Sequence, residues 1–405
     1  MTKGQWKKEL GPRSISDRDF FILAIPILFV IGMFYSAAIF YIMIGVLITY
    51  VLVNYFYNRT VGNKLYLKSP RETIRIFQGD KSEFLFEFNL ASYLPMMHGQ
   101  MRFEITPVIS PLEGDIVEDG KSYAFHKTFS IKGRGKTIVR FPFKGERRGV
   151  TRLRNITYSF PHLFNFNVLT LKYLPFTMRE VVVFPKPLQV ENVEVAFQNS
   201  PGDHRVPLSP YEEIQSIVSI SDYEYSDPFH RINWKASAKS QKLQTNIYEK
   251  VVDLSYIFLV NIRDSMEAIQ LNEQMERILS YTTYLCHEAH EREISYEMYV
   301  NARTQASIPF LKLPEGKGRA HYIKSLELLA RIPRHSMNYS FAEMAYRVQK
   351  NVVTPKTIVI IGDIPEDAVS ILSKWSQVQK DIFQVVPYEN GAVMERWQRG
   401  VSLHA

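Results

Sequence analysis

The sequence has few of the residues that build disulfide and metal frameworks. Its 405 residues include one cysteine, Cys286. No disulfide can close within the chain, and no multi-cysteine zinc site can be assembled. A single thiol fits a reducing compartment. Catalytic signatures are missing too. There is no Walker phosphate loop and no Gly-x-Ser-x-Gly elbow. "GKGR" at 316–319 lacks the phosphate-loop frame and reads as a loop before a helix. "CHEAHE" at 286–291 is not a His-Glu-x-x-His zinc motif: His287 and His290 stand three apart, with no third ligand at a recognisable spacing. The plainer expectation puts both histidines on a solvated helix side and makes Cys286 a small buried residue.

The longest absence is of charge. Phe20–Tyr57 runs for 38 residues without Asp, Glu, Lys, Arg or His. As one helix it would be about 57 Å long, against a bilayer core of about 30 Å. Two spans of roughly 17–20 residues fit it, with a break near Tyr35–Ala37. Pro26 falls early in the first helix, where neighbouring groups satisfy the freed carbonyl. Tyr35, Tyr41, Tyr50, Tyr55 and Tyr57 fall largely near the ends, where amphipathic rings settle. Lys3, Lys7, Lys8, Arg13 and Arg18 precede the run; Arg59, Lys64, Lys68, Arg71 and Arg75 follow it. Both flanks are therefore predicted to be cytoplasmic, with a small turn outside. A cleaved signal peptide would leave a second apolar run unexplained. The net charge of +8 then has an immediate use, as a juxtamembrane anchor to anionic lipid.

What is present after the run is period-two alternation. Ser82–Leu90, Gly99–Ile109, Ser122–Ile131, Lys136–Phe143, Gly149–Phe160 and Glu180–Pro187 read as strands separated by Gly-containing turns. They predict an antiparallel β-sandwich of immunoglobulin type without the Cys–Trp–Cys core. From Leu254 strands alternate with helices. Leu254–Ile262, Ile294–Asn301, Lys356–Asp363 and Asp381–Tyr388 are strands, and Ser265–Arg292, Gly318–Ile332, Ser340–Gln349 and Pro365–Gln379 are helices. This pattern predicts a doubly wound parallel sheet. The fold class is thus multi-domain α+β. Its segments are a basic N-terminus (1–19), a transmembrane hairpin (20–57), a sandwich (60–190), a connector (191–253), an α/β domain (254–390) and a tail (391–405).

The connector holds "SDYEYSDPFHRINWKASAKSQKLQ", Ser221–Gln244. As a catalytic loop, Asp227 and His230 would form an acid–base pair, but no nucleophile stands at a recognisable spacing. As a nucleic-acid clamp, Arg231, Lys235, Lys239 and Lys242 with Trp234 and Tyr223 offer charge and stacking, opposed by Asp222, Glu224 and Asp227. The favoured expectation is a conformation-fixing connector that also presents a surface to a partner. In it Asp227 caps the segment starting at Pro228, Trp234 is buried with its indole N–H satisfied, and Arg231 or Lys235 pairs with carboxylates.

Motifs across the chain resemble the bacterial domain of unknown function 58 family. "ERRGVTRL" (146–153), "SFPHLFNF" (159–166) and "VVVFPKP" (181–187) follow its Arg-Arg-Gly turn, aromatic segment and Val-x-Pro strand end. Phe160, Pro161, His162, Leu163 and Phe164 fill the second motif without its acid and glycine. The connector matches a signature in one register through Tyr223, Asp227, His230 or Arg231, Ile232, Trp234, Lys235, Ser237, Ala238 and Lys239. It departs from that signature at Ser221, Asp222, Ser226 and His230. The resemblance implies a von Willebrand factor A-like domain, in which Asp-x-Ser-x-Ser holds Mg²⁺. Here Asn261 replaces the Asp, Arg263 the first Ser, and Ser265 survives, with Asp363 matching a distant acid and Asp264 out of position. A hard cation needs anionic oxygen, so the metal site is expected to be degenerate, with no metal or cofactor bound. The resemblance also implies a MoxR-type AAA+ ATPase as partner. The expected function is a membrane-anchored, cytoplasm-facing scaffold or adaptor in assembly or envelope homeostasis. The alternatives are a metal-dependent hydrolase and, behind it, a nucleic-acid binder.

Overall fold

The structure is a computed structural model. It describes residues 5–10, 17–35, 38–68, 73–113, 115–119, 122–164, 167–175, 179–197, 212–250, 255–262, 270–334, 337–352, 354, 356–377, 381–388 and 391–398. The chain is mixed α+β and divides into two compact units, Met1–Phe184 and Pro185–Ala405.

The first unit opens with strand β1 (Trp6–Leu10), then helices α1 (Asp17–Tyr35) and α2 (Ala38–Thr60). The helices carry Leu23, Ile27, Phe34, Ile42, Val46 and Phe56 exposed, the reverse of a soluble helix. Among the described residues one helix, Ala38–Thr60, is long and apolar enough to cross a membrane; Leu23–Phe34 is a shorter apolar stretch.

Strands β2 (Leu65–Lys68), β3 (Thr73–Phe77), β4 (Lys81–Leu90), β5 (Met96–Ile105), β6 (Ile109–Pro111) and β7 (Asp115–Asp119) follow. After them come β8 (Ser122–Ile131), β9 (Gly135–Gly145), β10 (Gly149–Arg152), β11 (Arg154–Pro161), β12 (Val168–Tyr173) and β13 (Glu180–Phe184). A six-stranded sheet runs β1-β12-β11-β5-β8-β7 and a four-stranded sheet runs β2-β4-β9-β6. They face each other across an aromatic core. Alternation on β4 turns Phe84, Phe86 and Phe88 inward, where Phe84 and Phe86 meet Phe103 of β5 at 6.0 and 5.7 Å between centroids. Each such buried ring contributes roughly 2–3 kcal/mol of transfer free energy. This is the expected sandwich with two corrections. A third sheet, β10-β13-β3, contains the parallel pair β13–β3, so the unit is not wholly antiparallel. Gly149–Phe160 is two strands broken at Leu153, which is buried at the break.

The second unit contains β14 (Val190–Glu191), α3 (Val193–Phe197), β15 (Glu212–Asp222), α4 (Trp234–Ser240), β16 (Gln244–Lys250), β17 (Ser255–Val260) and α5 (Gln270–Glu291). It continues with β18 (Ser295–Arg303), β19 (Phe310–Gly316), α6 (Arg319–Arg331), α7 (Phe341–Asn351), β20 (Thr357–Ile361), α8 (Glu366–Ser376), β21 (Ile382–Tyr388) and β22 (Gly391–Arg396). Its main sheet has the order β14-β22-β21-β20-β17-β18-β19. The centre, β21-β20-β17-β18, is parallel. Strands β17 and β20 are buried at every residue, as helices on both faces require. Tyr256, Phe258 and Val260 face the layer of α5 and α6, while Ile257 and Leu259 face α7 and α8. The sheet departs from the parallel expectation at its flanks, where β19 and β22 run antiparallel to their neighbours. Gly391–Arg396, expected to be tail, is therefore sheet. Its Ala392 and Met394 are buried, so apolar alternation recruits it.

Candidate functional site

The connector signature folds as a braced excursion between β15 and β16, which pair antiparallel from Asp222↔Gln244 to Glu212↔Lys250. A short 3₁₀ turn, Phe229–Arg231, leads into α4. Asn233 is the hub. Its Oδ1 accepts from the Ala236 N–H at 3.0 Å and caps α4, and its Nδ2 donates to Asn246 Oδ1 at 2.8 Å. Ser237, buried, donates through Oγ to the Asn233 carbonyl at 2.8 Å and accepts from the Gln244 N–H at 2.9 Å. Gln241 ends the helix in the left-handed region, φ 56°. Gln244 Nε2 donates to Asp222 Oδ1 at 2.8 Å.

Two expectations are corrected here, and a third for Lys235 alone. Trp234 is 59% exposed, not buried, and packs edge-on against Phe229 at 5.7 Å. Ile232, two residues earlier, is the buried apolar side chain of this turn. Asp227 does not cap the following turn. Pro228 holds the cap position without a side-chain bond, and Asp227 Oδ2 instead accepts from the Glu224 N–H at 3.1 Å. Asp222 and Asp227 both accept from N–H groups. Lys235, Lys239 and Lys242 have no carboxylate within 4 Å among the described residues. Arg231 lies 5.9 Å from the centre of the Tyr248 ring. Among the described residues no hydrogen bond joins Asp227 to His230, which is exposed, and Tyr223 is half-buried with its N–H on the Leu243 carbonyl at 2.9 Å. Tyr225, Phe229 and Trp234 are exposed, as are Lys235, Lys239 and Lys242 and the acids Asp222 and Glu224. Aromatic anchors on a hydrogen-bonded frame suit recognition better than proton transfer.

The second candidate is the carboxyl end of the central strands, where ligands of such sheets bind. Asn261 is 1% exposed and its amide is committed on both sides. Nδ2 donates to the backbone carbonyl of Asp363 at 2.7 Å, and Oδ1 accepts from Asn301 Nδ2 at 2.7 Å. Asn301, 2% exposed, also accepts the Ile262 N–H at 2.9 Å. Gly362 completes the junction at φ +105°; a Cβ there would lie 2.4 Å from the Asn261 carbonyl oxygen. Asp363 itself is exposed. Arg263, Asp264 and Ser265 lie outside the described residues. The donors here do not fit a hard cation, since neutral amides in mutual hydrogen bonds stand where anionic oxygen is needed. Asn301 escaped the sequence reading. Its only signal was a polar residue closing the apolar run of β18.

The "CHEAHE" helix is also corrected. His287 and His290 are partly buried rather than solvated, because α6 brings Tyr322 against them at 5.9 and 5.1 Å. Cys286 is fully buried, and burial pushes its thiol up to about 12. Among the described residues no group of three or more His, Cys, Asp or Glu could hold a metal.

No family model matches the chain, and no curated protein matches it. Solved structures do. A non-cellulosomal cohesin from the archaeon Archaeoglobus fulgidus is 11% identical with a TM-score of 0.18, over 31% of this chain and 93% of its own. The cohesin of a type I cohesin–dockerin complex from Clostridium thermocellum is 7% identical with a TM-score of 0.18, over 27% and 90%. The sporulation control protein Spo0M of Bacillus subtilis is 12% identical with a TM-score of 0.14, over 34% and 54%. At these scores the likenesses carry nothing about what this chain binds or does.

Proposed function

We propose that the chain is a membrane-anchored scaffold or adaptor, with α1 and α2 as a transmembrane hairpin and the rest of the chain facing the cytoplasm. One pairing carries the anchored reading. Strand β1, before α1, pairs with β12 from Trp6↔Tyr173 to Leu10↔Leu169, and β2, after α2, pairs with β4 in the facing sheet. An odd number of crossings would put β1 and β12 on opposite sides of the bilayer. Both helices cross, or neither does, and their exposed apolar surfaces favour crossing. Helix α2 at about 34 Å matches a bilayer core, and the uncharged part of α1, Phe20–Tyr35, reaches about 24 Å. No other helix among the described residues is long and apolar enough to add a third span. The excess of Lys and Arg on both flanks favours the cytoplasmic side.

The exposed rings of Tyr225, Phe229 and Trp234 support the adaptor half of the reading, and the amide-locked Asn261 supports a von Willebrand factor A-like domain retained for structure instead of metal chemistry. The resemblance to the domain of unknown function 58 family supplies the partner, a MoxR-type AAA+ ATPase. A photo-crosslinking residue at Tyr225 in the full-length protein, followed by capture from solubilised membranes, tests this. The expected product is an adduct with an AAA+ ATPase that Trp234→Ala weakens. Capture of no ATPase, or capture indifferent to Trp234→Ala, would sink the assignment.

A further inference from the structure

In the second unit, β18, β19 and α7 enclose a cavity of about 270 Å³. Its floor is aromatic: Tyr299 and Phe310 are 4% and 6% exposed and meet edge-on at 6.1 Å. Val348 is buried beside them, and Ile308 lies exposed among the lining residues. The charged lining is of one sign. Lys312 comes from β19, and Arg347 and Lys350 sit one turn apart on α7. No acid lines the cavity, and none of the three cations has a carboxylate within 4 Å among the described residues. Rings hold them instead. Lys312 Nζ stands 5.5 Å from the centre of Tyr299, Arg347 5.7 Å from Tyr339, and Lys350 4.6 Å from Tyr346. A ring orients a cation without neutralising it. The nearby acid Glu297 is already engaged, accepting from the Tyr299 hydroxyl at 2.6 Å and from Lys356 at 2.9 Å.

Three cations with no carboxylate within 4 Å among the described residues stand around an apolar concavity and focus a positive field on it, with Glu343 one turn from Arg347 as the nearest acid on α7. Their mix suits phosphate, since the guanidinium supplies a planar fork and the ammoniums point charge. The volume falls just below the range of ligand clefts, which starts at roughly 300 Å³. We propose that this cavity binds a small aryl or nucleoside phosphate, its anionic head on Lys312, Arg347 and Lys350 and its planar body against Phe310, Ile308 and Val348. No residue of the connector lines the cavity.

Titration calorimetry of the full-length protein in detergent tests it, with phenyl phosphate, adenosine monophosphate, inorganic phosphate and phenol as separate probes. Phenyl phosphate or the nucleotide should bind about tenfold tighter than inorganic phosphate or phenol, a gap of one decade in Kd. Combined Lys312→Gln, Arg347→Gln and Lys350→Gln substitutions, all at exposed positions, should abolish that binding without changing Tm. Equal binding of inorganic phosphate would reduce the site to a basic surface and overturn the proposal. So would no saturable binding by either aromatic phosphate, or binding that survives the triple substitution. A preference for the nucleotide over phenyl phosphate identifies a nucleoside source; the reverse identifies a simple aryl phosphate.

Discussion

Asn301 donates from Nδ2 to Oδ1 of Asn261 at 2.7 Å, and this buried amide pair ties the ends of β17, β18 and β20 together. Placing a carboxylate there with Asn261→Asp removes the donor to Asp363 and buries a charge at a 1% exposed position. The expected loss is roughly 2–4 kcal/mol. Asn301→Ala should cost a similar amount, and the double variant should cost clearly less than the sum, because both break one network. Denaturant melts of the four proteins check this; strict additivity would refute the coupling. Mg²⁺ should leave the Tm of Asn261→Asp unchanged.

Lys356 gives a pH-dependent prediction. Burial disfavours its charge, but hydrogen bonds to Glu315 and Glu297 at 2.7 and 2.9 Å outweigh that and hold its pKa above 10.5. Burial would raise Glu315, yet its hydrogen bond from Lys356 prevails and holds it below 4.5. The Glu315 contribution is complete above pH 4.5 and is lost as pH falls through the depressed value. The Lys356 contribution is complete below pH 10.5 and is lost as pH rises through the raised one. Lys356→Met should cost about 3 kcal/mol at neutral pH, since it strands the buried Glu297, and should flatten both arms of the Tm–pH curve. Arms unchanged in the variant would place the titrating groups elsewhere.

The aromatic face of the connector separates binding from stability. Phe229→Ala and Trp234→Ala remove side chains that are 69% and 59% exposed. Each should shift stability by no more than about 0.5 kcal/mol. Asn233→Ala removes the cap and the brace and should cost about 1–2 kcal/mol. Thermal melts read both. A large loss from Trp234→Ala would return that residue to a structural role.

The anchor is open to labelling because the native thiol is silent. Cys286 is buried with its thiol neutral, so a membrane-impermeant maleimide should not modify the folded wild type. In cells, Ser36→Cys should label from outside, and Lys7→Cys only after the membrane is opened. Labelling of both without opening it would contradict the two-span arrangement.

Much of the fold was legible because burial writes period into the chain. Phe84, Phe86 and Phe88 alternate on β4, and the unbroken apolar runs of β17 and β20 announce strands covered on both faces. Strand β1 was hidden, because "WKKEL" carries three charges and follows no alternation; it is a strand only because β12 offers it an edge. Parallel pairing of β3 with β13 joins segments that no local pattern links. At the connector the local pattern did not fix which side chains are buried: Trp234 is exposed and Ile232 is buried. Whether Trp234 faces in or out depends on which neighbour takes the inner position, and Ile232 takes it.

The sequence by itself determined the apolar run at 20–57, the strand and helix periods on either side of it, and the neutral side chain at Asn261. These are local properties of composition and spacing. Tertiary structure alone decided that the segment before the helices shares a sheet with residues beyond 160, that Asn301 meets Asn261, and that three cations converge on one cavity. Each joins positions distant in the chain, and which distant groups meet depends on how the whole set of strands and helices buries its apolar surface together.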